Sequence, residues 1–374
     1  MPAQTRIPRQ ATGSSALTPP RFTRSDLVIL GGTAVSILLA GVTRYSGTSA
    51  VVAFLASGLA VALLASLVGR CVDRLGDRLG AGATGVLQSA LGNLPELFIA
   101  FFALRAGLLD VVQSALIGSI LANLLLVLGA AFVVGGLRHG RQRFNTERIR
   151  STCALLALAT AALVLPSIAT YAHAKAEPHV RELSIAVAVI LLVIFALSLP
   201  ASLRRSRGDH KPGLLAETEG TAGWPAWFSI TMLAVAGGLA ALVSDWFVHA
   251  LEPSMATLGI SPVFAGLVIV AIASNAIENV VGIQLAARNQ TEYAISVIVN
   301  SPLQIALVLA PALVLLSLLT TTALTLVFAP MLVVSVVLTV LVVTIIVSDG
   351  ESNWLEGAML IGLYLMIATV FWWG

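Results

Sequence analysis

Charge is what this sequence has least of. Asp, Glu, Lys and Arg make up 10% of the 374 residues, against 58% hydrophobic, and mean hydropathy is +0.96. Soluble domains carry about 25% charged residues, so a soluble fold is excluded and a polytopic membrane protein is expected. Cysteine is nearly absent. Cys71 and Cys153 stand beside basic loops with no second Cys or His at ligand spacing, which excludes a disulfide framework and argues against a structural zinc or redox centre. Histidine is equally uninformative: His139, His173, His179, His210 and His249 fall in loops or near span ends, none in a helical pair. With no His-Glu-x-x-His and no Ser/His pairing in the apolar runs, an intramembrane hydrolase is not expected, and the chain is read as not an enzyme. Nothing points to a nucleic-acid partner or a resident cofactor.

What is present is apolar runs. Eleven spans are expected, near 27–43, 49–69, 84–104, 108–135, 151–171, 183–201, 225–249, 261–287, 292–318, 321–347 and 354–373. They are long enough to cross a core of about 30 Å and too long for membrane strands, so the fold class is all-α. Lys and Arg set the orientation. Of 21, only Arg44, Arg105, Lys175 and Arg181 fall on one side, and the other seventeen share the side of the N-terminus. The N-terminus is therefore expected in the cytoplasm, with the C-terminus opposite after an odd number of crossings. Residues 1–26, with Arg6, Arg9, Arg21 and Arg24 among Ser, Thr and Pro, read as a disordered cytoplasmic tail with no leader peptide. The six tryptophans, Trp224, Trp227, Trp246, Trp354, Trp372 and Trp373, fall near span ends, where indole anchors at the headgroups.

The chain also repeats itself. A single shift of 182 residues carries Asn93 onto Asn275, Glu96 onto Glu278, Ser114 onto Ser296, Ser119 onto Ser301, Leu121 onto Leu303 and Leu125 onto Leu307. It maps the second to sixth spans onto the seventh to eleventh. Five spans is odd, so the halves cross in opposite directions: an inverted repeat. The expected organisation is an accessory helix at 27–48, a five-helix half at 49–201, a polar cytoplasmic linker at 202–224 and a second half at 225–374.

Each half places one Glu inside an apolar run, beside an Asn three residues earlier on the same helical face. Pro95 should free carbonyl oxygens in the preceding turn, and Ser274 adds a hydroxyl to the face of Glu278. An ionised Glu at mid-membrane costs about 2.5–3.5 kcal/mol, roughly 5–7 for two, unless protons or a cation neutralise it. No Lys or Arg lies deep in a span to do so. Carboxylates ringed by Asn, Gln and Ser oxygens suit a hard cation with six to eight oxygen ligands, calcium rather than zinc. When the cation leaves, neighbouring carboxylates in a low dielectric take up protons, so cation and proton compete for one site. Gln113, Asn123, Asn300 and Gln304 read equally as ion contacts or as polar glue between helices.

The residues Gly92–Leu97 (GNLPEL) with Val111–Gly129 (VVQSALIGSILANLLLVLG), and Ser274–Asn279 (SNAIEN) with Asn300–Leu307 (NSPLQIAL), resemble the two repeat signatures of the cation/proton exchangers of the calcium/cation antiporter superfamily. The resemblance implies one accessory helix plus two inverted five-helix repeats. It implies calcium export driven by proton entry, with Glu96 and Glu278 as central ligands and proton carriers. Supporting roles fall to Asn93, Asn275, Ser119, Ser301, Gln113 and Gln304, and secondary ones to Asn123, Ser274, Asn279 and Asn300. It further implies calcium and protons as partners in the lipid bilayer, residence in the plasma (cell inner) membrane, and room for a homo-oligomer. Ser274 and Asn279, where Gly and His are usual, keep a sodium-coupled calcium exchanger as the alternative. A passive cation channel would share the buried acids.

Overall fold

The computed structural model describes residues 22–79, 91–205 and 224–372, with the backbone alone at 76–79, 148, 199–205, 277 and 278. Residues 1–21 of the expected tail, 206–223 of the linker, 80–90 with the first seven residues of the third span, Trp373, Gly374 and the Glu278 side chain lie outside the described residues.

Helices dominate, as they must where lipid offers backbone groups no partner. They are α1 (Arg24–Tyr45), α2 (Ala50–Leu79), α3 (Leu94–Arg105), α4 (Leu109–His139), α5 (Thr146–Tyr171), α6 (Val180–Arg205), α7 (Ala226–Leu258), α8 (Pro262–Ser274), α9 (Ala276–Ala287), α10 (Thr291–Ser317), α11 (Pro330–Ile346) and α12 (Trp354–Trp372). Among the described residues, eight helical stretches are long and apolar enough to cross a bilayer, within α1, α2, α4, α5, α7, α10, α12 and around α6. A ninth crossing arises if α8 and α9, bent by 60°, are one span.

Two asparagines break helices in the same way. Asn93 starts α3 with φ −94° and ψ 18°, and Asn275, between α8 and α9, has φ −94° and ψ 20°. Pro95 therefore sits in the first turn of α3, where a missing N–H costs nothing. The turn before Pro95 is disturbed as expected, with the non-helical residues at Gly92 and Asn93. Turns of π-helix interrupt α4 at Ala122–Val127, α8 at Ala265–Val270 and α10 at Ile305–Leu309.

The long helices α2 and α7 pack along each other with α1 laid over them. Asp26, buried in the capping box of α1, accepts from Arg70 of α2 at 3.0 Å, which fastens the two helices at one end. Small residues bring other helices to backbone contact. A Cβ on Gly357 of α12 would strike the Gly129 carbonyl of α4, and one on Gly118 of α4 would strike the backbone of Leu267 in α8. At one end, β1 (Gln142–Arg143) pairs antiparallel with β2 (Glu351–Ser352), and His139 Nε2 lies 3.0 Å from the Ala287 carbonyl. Three loops from the basic side of the sequence thus meet on one face.

Two expectations change. The tenth span does not begin as helix at 321, because residues 318–329 are non-helical and α11 starts only at Pro330. Trp224 is not a headgroup anchor: it is 1% exposed, edge-on to Phe22 and Phe228 in an aromatic cluster. Trp227, Trp354 and Trp372 are about half exposed, as anchors should be.

Candidate functional site

The two helix breaks face each other across the centre of the molecule. Glu96 stands in the first turn of α3, where the helix dipole favours a carboxylate. It is buried, 6% exposed. Its Oε1 accepts from Ser119 Oγ of α4 at 2.9 Å, from Ser274 Oγ of α8 at 2.9 Å, and from Asn275 Nδ2. Three donors from three segments, in both halves of the chain, converge on one oxygen. Oε2 is buried with no hydrogen-bond partner among the described residues.

Behind this oxygen a second layer ties the halves together. Asn123, in the π-helical turn of α4, donates to Asn275 Oδ1 at 2.9 Å and to Ser301 Oγ at 3.4 Å, and Ser301 reaches Asn275 Oδ1 at 3.5 Å. Asn275 also donates to Ser119 Oγ at 2.9 Å. Gln304 is buried one turn beyond Ser301. Buried polar atoms without partners among the described residues gather on the same elements: Asn93 Nδ2, Asn123 Oδ1 and Asn279 Oδ1. In a low-dielectric interior such atoms are costly unless something polar or charged visits them.

A narrow cavity of about 20 Å³ leads from Glu96, Ser119 and Ser274 between Ala103, Val112 and Leu116. That is room for one water molecule, since a water needs about 10–15 Å³. Its walls beyond the three polar residues are apolar, so a hydrated cation finds no ligands there.

Of the residues expected at the site, the structure brings together Glu96, Ser119, Asn123, Ser274, Asn275 and Ser301. It places Gln113 elsewhere, with both amide hydrogens on the carbonyls of Thr325 and Val327 at 3.0 and 2.9 Å, so the expectation of an ion-binding amide gives way to polar glue. Asn300 is exposed on α10, outside the network. Glu278 falls in the first turn of α9, matching Glu96 in backbone position. Sequence reasoning missed the apolar cavity walls, whose Ala and Val residues look like any other in an apolar run.

The family model described as sodium/calcium exchanger protein matches residues 49–203 and 228–373. A Ca(2+)/H(+) antiporter of Aphanothece halophytica is 33% identical over 332 residues, covering 85% of this chain and 89% of that protein. The Ca(2+)/H(+) antiporter ChaA of Bacillus subtilis (strain 168) is 35% identical over 290 residues, 77% of this chain and 82% of its own. The structure of native YfkE superposes with a TM-score of 0.79 at 32% identity, over 92% of this chain and 100% of that one.

Proposed function

The chain belongs to the sodium/calcium exchanger protein family, on its cation/proton exchanger branch, and from that premise we propose that it is a secondary active antiporter exporting calcium, or a similar divalent cation, in exchange for protons. Glu96 and Glu278 form the shared cation and proton site, and alternating access presents it to each side in turn. Eleven spans, one accessory and two inverted sets of five, carry the site in the cell's limiting membrane with the N-terminus cytoplasmic.

The observation that carries this reading is the unequal treatment of the two Glu96 oxygens. Oε1 has three donors, which stabilise an ionised carboxylate, while Oε2 is buried and has no partner among the described residues. A carboxylate so held needs positive charge on its second oxygen, from a cation or a proton, and one excludes the other. The amide and hydroxyl oxygens of Asn123, Asn275, Ser119 and Ser301 supply the hard donors a dehydrated calcium requires. The repeat is supported by the matching asparagine breaks at 93 and 275, and by the π-helical turns at Ala122–Val127 and Ile305–Leu309, which nearly coincide under the 182-residue shift. With the site charged only when both cation and proton are absent, the bare form is costly to carry across lipid, which favours exchange over leak.

Calcium uptake into inside-out vesicles under an imposed pH gradient tests the assignment. Glu96→Gln and Glu278→Gln each abolish proton-driven uptake, and retention of uptake by either removes that residue from the site. Varying sodium, potassium and protons separately decides the coupling ion: uptake that needs sodium and ignores the pH gradient means a sodium-coupled exchanger.

A further inference from the structure

Residues 323–329, between α10 and α11, run across the end of the bundle without helix, and burial alternates along them, with Leu324, Leu326 and Phe328 inside. Backbone of this kind at membrane depth needs a partner for each buried polar group. Side chains of four helices provide them. Ser317 of α10 accepts from Leu324 N at 2.8 Å, and Ser184 of α6 accepts from Leu326 N at 3.0 Å. Ser167 of α5 donates to the Leu326 carbonyl and accepts from Phe328 N, both at 2.9 Å, while Tyr171 of α5 donates to the Phe328 carbonyl at 2.8 Å. Gln113 of α4 donates to two further carbonyls, those of Thr325 and Val327.

The grip bears on transport because of where Gln113 sits. From Leu109 to Leu121, α4 is an uninterrupted α-helix, so its end at Gln113 and its hydroxyl at Ser119, about 9 Å apart along the axis, move as one body. Directly beyond lies the π-helical turn at Ala122–Val127, and beyond that Gly129 is seated on Gly357 of α12. The inner half of α4 is thus seated on α12 and the outer half on α8 through Gly118, and the two halves join through a turn whose hydrogen-bond ladder is already altered. Ser114 bonds only within its own helix, so among the described residues the outer half is held to other elements by side-chain hydrogen bonds only at Gln113 and Ser119. That same half carries the cavity wall, Val112, Ala115 and Leu116, and the Gly118 contact with α8.

We propose that Gln113 is a positioning residue: fastened to the strap at 323–329, it holds the outer half of α4 at the height where Ser119 meets Glu96 and Gly118 seats on Leu267, keeping the cavity closed to water from the Arg105 side. The proposal takes the importance of Glu96 from the exchange reading, but closure itself is measured without calcium or a pH gradient. In a background of Cys71→Ala and Cys153→Ala, the reporter Ala115→Cys is exposed in sealed vesicles to a membrane-impermeant maleimide from the side of the Arg105 loop. Adding Gln113→Leu, which keeps size but removes both donors, accelerates labelling at least tenfold from that side and leaves labelling from the opposite face unchanged. Ser167→Ala, which frees the strap's other edge, acts in the same direction and serves where the first variant folds poorly. Unchanged rates in both variants overturn the proposal, and so does equal acceleration from both faces, which means general loosening. A loss of exchange in Glu96→Gln with unaltered labelling in Gln113→Leu would retain the transport site and discard the strap's role.

Discussion

At the scale of single residues the chemistry rests on how many donors one oxygen receives. Ser119, Ser274 and Asn275 all address Oε1 of Glu96, so on the proposed exchange reading each favours the ionised carboxylate that a cation would meet. Hydrogen bonds to charged groups contribute about 1.5–3 kcal/mol, so Ser274→Ala tips that site toward protonation. The sign follows: the variant raises the KM for calcium most at low pH, where protons compete, and the penalty shrinks as pH rises and the site ionises in both proteins. Calcium-uptake kinetics at two pH values about two units apart check this, and a penalty independent of pH would mean that Ser274 acts on the cation directly. The sequence makes Glu96, Ser119, Asn275 and Ser301 legible, because a shift that repeats both acid and amide is hard to produce by accident. Gln113 is not legible, since an amide in an apolar run serves an ion or a carbonyl equally well. Ser167 and Ser184 are less so, because a hydroxyl in a helix usually bonds its own preceding turn, as Ser184 also does with Val180.

At the scale of elements, apolar runs announce helices but not how closely they approach. Gly357 and Gly129 let α12 and α4 meet at their backbones, and a methyl group at Gly357 would also press within 2.7 Å of Val133 N. Gly357→Ala therefore destabilises the protein by about 1–3 kcal/mol, the usual range for overpacking. Gly362, five residues on in the same helix, has nothing within 4 Å of an added Cβ, so Gly362→Ala is neutral or slightly stabilising through helix propensity. Thermal unfolding of the two variants in detergent distinguishes packing at one face from a general intolerance of α12. The strap is the element hydropathy misplaces. Thr320–Ala329 (TTTALTLVFA) is apolar enough to prolong a span, and the alternation of Leu324, Leu326 and Phe328 with Thr325 and Val327 is too short to outweigh a neighbouring helix. What makes it non-helical is tertiary: five side chains on four helices bond seven of its backbone groups, and Pro330 then starts α11 where a missing donor is harmless.

Across the whole molecule, a basic loop and an acidic one expected on the same side of the membrane come together in space. The β1–β2 pairing joins the loop after α4 to the loop before α12, with Arg143 opposite Glu351 and Arg141 also on that carboxylate at 3.0 Å. Both arginines are largely exposed, so the ion pairs themselves contribute about 0–1 kcal/mol. The ribbon's place follows instead from α4 and α12, which are seated backbone to backbone next to it. If this pair is fixed scaffold, the ribbon keeps its register throughout a transport cycle. Opposite residues of an antiparallel pair lie about 4.5–5.5 Å apart at Cα, within the reach of a disulfide at about 4.4–6.8 Å. Arg143→Cys with Glu351→Cys, in the cysteine-free background, is therefore expected to cross-link readily under mild oxidation and to retain calcium exchange when cross-linked. Uptake measured before and after reduction tests it. Exchange that stops on oxidation and returns on reduction would move α4 and α12 out of the scaffold, and would require the Gly129–Gly357 seat to slip in every cycle.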